Sequence, residues 1–246
     1  MSTENKKISK NYLIADVLFH MKSFYEFTPK MCKKYESCDS SVSPLFEIEV
    51  TKEEILAEDN GQTGTFGEDY LESLALYRKL CEKMLEYDTY LMHCSAVAVD
   101  GNAYLFTAPS GTGKSTHTRL WREYFKDRAV MVNDDKPLIQ VTKEDIYVCG
   151  TPWSGKHNIN TNVKVPIRGI CVLRQGKENK IERISAVDAF AELYRQSYRP
   201  KDKQKLIKTI SMIECLAEKV PVYRMSCNIS KEAVEVAYEF MCAADK

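Results

Sequence analysis

The densest run of chemistry-bearing residues is Ala108-Pro109-Ser110-Gly111-Thr112-Gly113-Lys114-Ser115. The pattern Ala-x-x-x-x-Gly-Lys-Ser matches the Walker loop with Ala in place of its first Gly. Gly111 and Gly113 let backbone N–H groups converge on phosphate oxygens without a Cβ in the way, and a helix opening at Ser115 adds unpaired donors and a positive dipole end. In that pattern Lys114 brings charge to the β- and γ-phosphates. The Ser115 hydroxyl is placed to ligate Mg²⁺, an ion that keeps most of its water and takes few protein ligands. With Ser110, Thr112 and Thr116 completing the cradle, the run predicts a nucleoside triphosphate with its magnesium ion. The base stays open, ATP or GTP, because such loops read phosphates.

A second cluster follows at Asn133-Asp134-Asp135, where a short apolar strand ends in paired carboxylates twenty and twenty-one residues after Lys114. One helix and one strand fill that interval and return the acids to the loop. In phosphoryl transfer one carboxylate can hold the metal while the other takes the proton of the attacking hydroxyl, and a metal-bound carboxylate is a poor base. A solvated turn capped by Asn133 is the plainer alternative. His93 lies on a strand entering a hairpin that turns at Asp100-Gly101, and strand register decides whether it stands at the base of the same cleft or at the opposite end. His117 and His20 read as structural or exposed. The run Cys149–Asn158 holds two glycines, a proline, a tryptophan, a lysine and a histidine, which suits a loop closing over a substrate with Lys156 stabilising transferred charge. Trp153 reads equally well as a plug in a hydrophobic gap.

These residues need elements to hold them. Leu91–Val99 reads as one strand and Ala103–Thr107 as a second running into the loop, followed by a helix through Trp121 and Phe125. Further strands are expected at Leu138–Val141, Ile146–Cys149, Gly169–Leu173 and Val220–Met225, with helices over Ala186–Tyr198, Lys203–Ala217 and Lys231–Cys242. The first ninety residues suggest an antiparallel flank, with strands at Tyr12–Phe19 and Pro44–Val50, and a helix over Glu68–Asp88. The glycine-rich stretch Asn60–Gly67 has no lysine at the required offset and reads as a turn. The order predicts an α/β fold with a partly parallel sheet, residues 1–88 forming a flank on the same domain as a catalytic region at 89–246.

Across the 246 residues, 35 Lys and Arg balance 35 Asp and Glu, so no global field favours nucleic acid or anionic membrane and any phosphate recognition is local. No apolar run is long enough to span a bilayer, and Met1–Lys7 lacks the apolar core of a signal peptide, which predicts a soluble cytoplasmic protein. The nine cysteines show no metal spacing and read as reduced structural thiols.

The runs His93-Cys94-Ser95-Ala96-Val97, Leu105–Ser115 and Val132-Asn133-Asp134-Asp135 together resemble the catalytic domain of HPr kinase/phosphorylase and small HPr-kinase-related proteins. The resemblance spans roughly residues 90 to 175. It implies the mixed-sheet P-loop fold shared with phosphoenolpyruvate carboxykinases, and an ATP-dependent kinase acting on the hydroxyl of a serine in a protein, a peptide or a small molecule. It implies that His93 helps bind the reactive phosphate, that Asp134 is the base and that Asp135 lies near the metal. The family's Glu-x-Arg-Gly type run does not occur here, so neither phosphorylase activity nor HPr as substrate is implied. Two rival readings are a carboxykinase-like lyase, for which Arg168, Arg174, Arg195 and Arg199 are the available cations, and a non-catalytic nucleotide sensor. Family members often assemble, so a homo-oligomer is a further expectation, with the helix at Asp202–Lys219 either an interface or a solvated surface.

Overall fold

A two-residue turn at Ala15 and Asp16 reshapes the start of the chain. Both residues have positive φ, 53° and 61°, the geometry that tight hairpin turns demand. The apolar run expected as a single strand is therefore a hairpin, β1 (Ile8–Ile14) antiparallel to β2 (Val17–Ser23). Neither Asn nor Gly marks the turn, which is why the apolar pattern hides it. Helix α1 (Phe27–Met31) follows. The alternating segment at 44–50 yields only β3 (Glu47–Ile48), and β3 pairs with β2 in parallel, so the N-terminal sheet is antiparallel only in its hairpin. Helix α2 (Lys52–Leu56) opens from a capping box made by Thr51 and Glu54, and α3 (Glu68–Met84) opens at Gly67. Within this sheet-and-helix unit, buried Glu72 of α3 accepts the backbone N–H groups of Phe24 and Tyr25.

The computed structural model describes residues 7–59 and 65–242, and the chain divides into two compact units, Met1–Tyr87 and Asp88–Lys246. Most of the N-terminal stretch at 1–7 and the core of the glycine-rich run at 60–67 lie outside the described residues.

In the second unit the strand expected over Leu91–Val99 is two strands. β4 (Thr89–Leu91) and β5 (Ser95–Val99) are separated by a break at Met92–Cys94. Then come β6 (Asn102–Thr107), α4 (Lys114–Phe125), β7 (Ala129–Asn133), β8 (Leu138–Val141), β9 (Ile146–Cys149), β10 (Lys164–Gln175), β11 (Lys180–Arg183), α5 (Ala186–Gln196), α6 (Lys203–Lys219), β12 (Val222–Cys227) and α7 (Lys231–Cys242). The sheet runs β4-β8-β9-β10-β6-β5-β7, with β12 beside the second half of β10 and β11 beside β12. Strand β10 joins two regimes: Lys164–Pro166 pairs antiparallel with β9, and the residues after it pair in parallel with β6 and β12. β5 is antiparallel to both β6 and β7. β6 and β7 therefore run the same way, and β10 and β12 run with them. Four strand ends meet at one edge of the sheet, the edge where ligands settle in open α/β sheets.

Packing fixes α4 against β6 and α7. Trp121 is fully buried, its ring centre 5.1 Å from those of Tyr104 and Phe106 on β6 and 5.7 Å from that of Tyr238 on α7. Aromatic burial of this kind contributes about 2–3 kcal/mol per ring and seats the helix start rigidly at the end of β6. His117 belongs to the same cluster, its Nε2 accepting from Trp121 Nε1 at 3.0 Å. Burial lowers its pKa from the ordinary 6.5 to about 4. The unfolded chain thus binds a proton below pH 6.5 that the folded chain refuses until about pH 4. The neutral ring's contribution to stability is complete above that window and is lost as pH falls through it. Between pH 7 and pH 5 the loss is roughly 2 kcal/mol. In urea unfolding, His117→Gln, whose amide oxygen still accepts from Trp121, is expected to lose that much less stability than the parent over the same interval. Equal losses would remove His117 as the source.

All nine cysteines are free, and Cys32, Cys81, Cys94, Cys149 and Cys171 are buried. Among the described residues no helix is long and apolar enough to cross a membrane.

Candidate functional site

The glycine-rich loop joins β6 to α4, and its conformation depends on its glycines. Gly111 and Gly113 have φ of +80° and +116°, the left-handed region that L side chains rarely enter, and the space where a Cβ would stand is open at both. Lys114 begins the helix and folds back, its Nζ donating to the Ala108 carbonyl at 3.0 Å. Lys114 as a whole is only 8 % exposed. Burial pushes its pKa down, against the opposing pull of Asp135, Cys94 and Asp134.

The acid pair reaches this loop by strand direction, not by adjacency. β5 lies between β6 and β7, so the acids do not sit on the neighbouring strand; they arrive because β6 and β7 end at the same edge. Asp134 is buried, and the Ser95 hydroxyl stands 2.9 Å from both its backbone oxygen and its Oδ1. Burial raises the Asp134 pKa from its ordinary value. Hydrogen bonds from Ser95 and Ser115 and the nearness of His157 oppose the rise, while the charge of Asp135 adds to it. Asp135 behaves in the opposite way. Burial also works to raise it, but the hydrogen bond from His93 and the charges of Lys136, His93 and Lys114 outweigh burial and hold it low. Two adjacent carboxylates in one cleft thus have their proton affinities driven apart, the arrangement by which an active site separates a base from a permanent anion.

The break between β4 and β5 settles the place of His93. Its N–H donates to the Gln196 carbonyl at 2.7 Å, and its carbonyl accepts from the Thr107 hydroxyl at 3.1 Å. With Ser95 opposite Phe106 in the hairpin, His93 falls at the loop end. Its Nε2 is 3.2 Å from Asp135 Oδ1 and its Nδ1 is 3.1 Å from Gln196 Oε1, so the ring is held in one orientation facing the acid.

Asn133 does more than cap a turn. Its Oδ1 accepts from the backbone N–H groups of Asp135 and Lys136, at 2.8 and 2.7 Å. Its Nδ2 donates to the Thr151 carbonyl at 2.9 Å and lies within 3.3 Å of the Trp153 carbonyl. This buried amide clamps the acidic corner to the loop that follows β9. That loop folds Gly155–His157 into one 3₁₀ turn, with Lys156 and His157 exposed. Gly155 has φ of +71°, and a Cβ there would stand 3.1 Å from Asp135 Cβ, so glycine permits the close approach. Trp153 is buried at 5 % exposure, packed into the interior.

A hollow of about 520 Å³ collects these groups. His93, Ser110, Gly111, Gly113, Lys114, Ser115, Thr116, Asp134, Asp135 and Lys156 all line it, joined by Gly155 and His157. Thr112 does not; it faces the opposite flank of the loop. None of the four arginines lines it either. Arg168 bonds Asn102 and Asp145, Arg199 lies over the Tyr194 ring, and Arg174 and Arg195 border another hollow. Among the described residues there is no group of three or more His, Cys, Asp and Glu able to hold a metal. The Ser115 hydroxyl with one carboxylate is a sparse oxygen set, the kind that suits magnesium shared with phosphates. Ser95, Gln196 and the clamp of Asn133 on Thr151 and Trp153 carry no role in the sequence reading. Gln196 is 103 residues from His93, and no local pattern announces such a pairing.

The fold and site define an α/β protein whose mixed sheet presents a glycine-rich strand–loop–helix and an acidic strand end at one edge. The chain belongs to the family described as SynChlorMet cassette protein ScmC, which matches residues 70–237. A search of curated proteins finds no match. Among solved structures, the Hpr(Ser) kinase/phosphatase from Coxiella burnetii is similar over 63 % of this chain and 99 % of its own, at 10 % identity and a TM-score of 0.33. That likeness is too loose to carry a residue's role across.

Proposed function

We propose that this chain is a kinase of the HPr-kinase-related type, with the mixed-sheet P-loop fold, that binds ATP or GTP with Mg²⁺ and transfers the γ-phosphoryl group to a hydroxyl. The acceptor class is a serine of a protein or peptide, or a small molecule. The observation that carries this reading is the placement of two carboxylates, Asp134 bonded by Ser95 and Asp135 facing His93, in one cleft with Lys114 and Ser115 at the start of α4.

In this reading the amides of Ser110–Thr116 hold the phosphates, and Lys114 neutralises charge at the β- and γ-phosphates. A magnesium ion bound there supplies further neutralisation, held by Ser115 and Asp135. Asp134, short of water and unusually basic, takes the proton of the acceptor hydroxyl; Ser95 aims its carboxylate. His93 and Lys156 face the same space, where cationic or hydrogen-bonding groups stabilise charge on the moving phosphoryl. Among the described residues no arginine lines the cleft, which speaks against recognition of a dicarboxylate.

The test is incubation of the purified protein with γ-labelled ATP, Mg²⁺ and cell extract. Label is expected in a protein or an organic small molecule. Tight nucleotide binding with the label left on ATP would make the chain a sensor and end the kinase reading.

A further inference from the structure

A second hollow, of about 570 Å³, opens on the flank of the loop away from the acids. It shares Gly111, Thr112, Gly113 and Thr116 with the phosphate loop, and its far walls are the ends of β10 and β12 with one face of α4. We propose that this hollow takes the nucleoside half of the triphosphate, with the base lying among Leu120, Leu173 and Ile229. The inference rests on the phosphate reading of the loop and extends it.

Direction is the first argument. Lys114, Asp134 and Asp135 mark where the reacting phosphate sits, and a triphosphate is a linear chain. Its nucleoside leaves from the other end, across the first turn of α4 at Thr116, which lines both hollows. Size agrees, because pockets of a few hundred Å³ suit ligands of this class. The lining agrees as well. Leu173 is buried and Leu120 half-buried, while Ile229 stands 75 % exposed at the rim. An aliphatic side chain held out beside a hollow offers a surface that a flat ring can cover.

The walls are braced to the loop and to each other. Gln175 Nε2 donates to the Thr112 carbonyl at 3.3 Å, joining the end of β10 to the phosphate cradle. The Asn228 amide donates to the Lys177 carbonyl at 3.0 Å, and its backbone N–H donates to Asn179 Oδ1 at 3.1 Å, holding the segment that carries Ile229. An acceptor molecule placed here would have the loop between its hydroxyl and Asp134.

The experiment compares Mg²⁺-dependent binding of ATP and of inorganic tripolyphosphate to the full chain by calorimetry. ATP is expected to bind at least about 10-fold more tightly, the return from burying one face of a base. The neutral variants Ile229→Ser and Leu120→Ser are expected to weaken ATP by about 10-fold each while leaving tripolyphosphate unchanged. Equal affinities in the parent, or ATP binding indifferent to both variants, overturns the base site and leaves the phosphate loop standing. If neither ligand binds, the phosphate reading fails and takes this inference with it.

Discussion

Asp134→Asn is expected to leave Mg²⁺–ATP binding within about threefold of the parent and to lower phosphoryl transfer by about 10³, the range that general base catalysis supplies. The substitution keeps shape and keeps an oxygen for the Ser95 hydroxyl, now 2.9 Å from Oδ1. It removes only the basic lone pair. Because Asp134 is buried and its proton affinity raised, an amide there also relieves the cost of a desolvated charge, so thermal stability should hold or rise. Activity loss with intact folding and binding then points to chemistry. The pH profile gives an independent reading: a base must be ionised, so activity falls with acid, and the acid limb should be shifted upward in the direction that burial moves the Asp134 pKa. Ser95→Ala removes a hydrogen bond that lowers the Asp134 pKa and should move that limb to still higher pH. Full transfer by the Asn variant, or an acid limb that Ser95→Ala leaves in place, would remove Asp134 from the role of base.

The second large effect is at Lys114. Lys114→Met keeps the aliphatic stem and removes the ammonium that donates to the Ala108 carbonyl. Without nucleotide that ammonium is a buried cation whose pKa burial lowers, so it costs folding free energy and its loss should not destabilise the empty protein. With nucleotide bound it stands where negative charge concentrates, and its removal should weaken ATP by roughly 10-fold or more and transfer by about 10³. A structural lysine would show the reverse: a lower melting temperature and unaltered nucleotide affinity. Melting curves with and without Mg²⁺–ATP decide between the two, since the ligand-induced rise in Tm should shrink in the variant while the unliganded Tm does not fall.

The clamp built by Asn133 bears on both results. It holds the acidic corner through backbone N–H groups on one side and the carbonyls of Thr151 and Trp153 on the other. The position of Asp134 therefore depends on a loop that follows a different strand. Half of that clamp, the turn made by Oδ1, is legible in Asn133-Asp134-Asp135 as a cap. The other half belongs to residues 18 and 20 positions later.

The sequence by itself determined what is local. Two glycines, a lysine and a serine in a row specify a backbone cradle at a helix start, because the φ values and the unpaired donors come from consecutive residues. The acid pair at the end of an apolar strand is contiguous as well. Period and punctuation were enough to find most strands and helices of the second unit, but not the break at Met92–Cys94, nor, in the first unit, the turn at Ala15-Asp16, which interrupts an apolar run without a Gly or Asn to mark it. Only the tertiary structure decided that β5 stands between β6 and β7, that the four parallel strand ends share one edge, and that His93 faces Asp135 with Gln196 behind it. The second hollow, walled by strands far apart in the chain, is likewise tertiary. Sheet order and register are chosen by burial and hydrogen bonding summed over the whole unit, and no short stretch of residues encodes that sum.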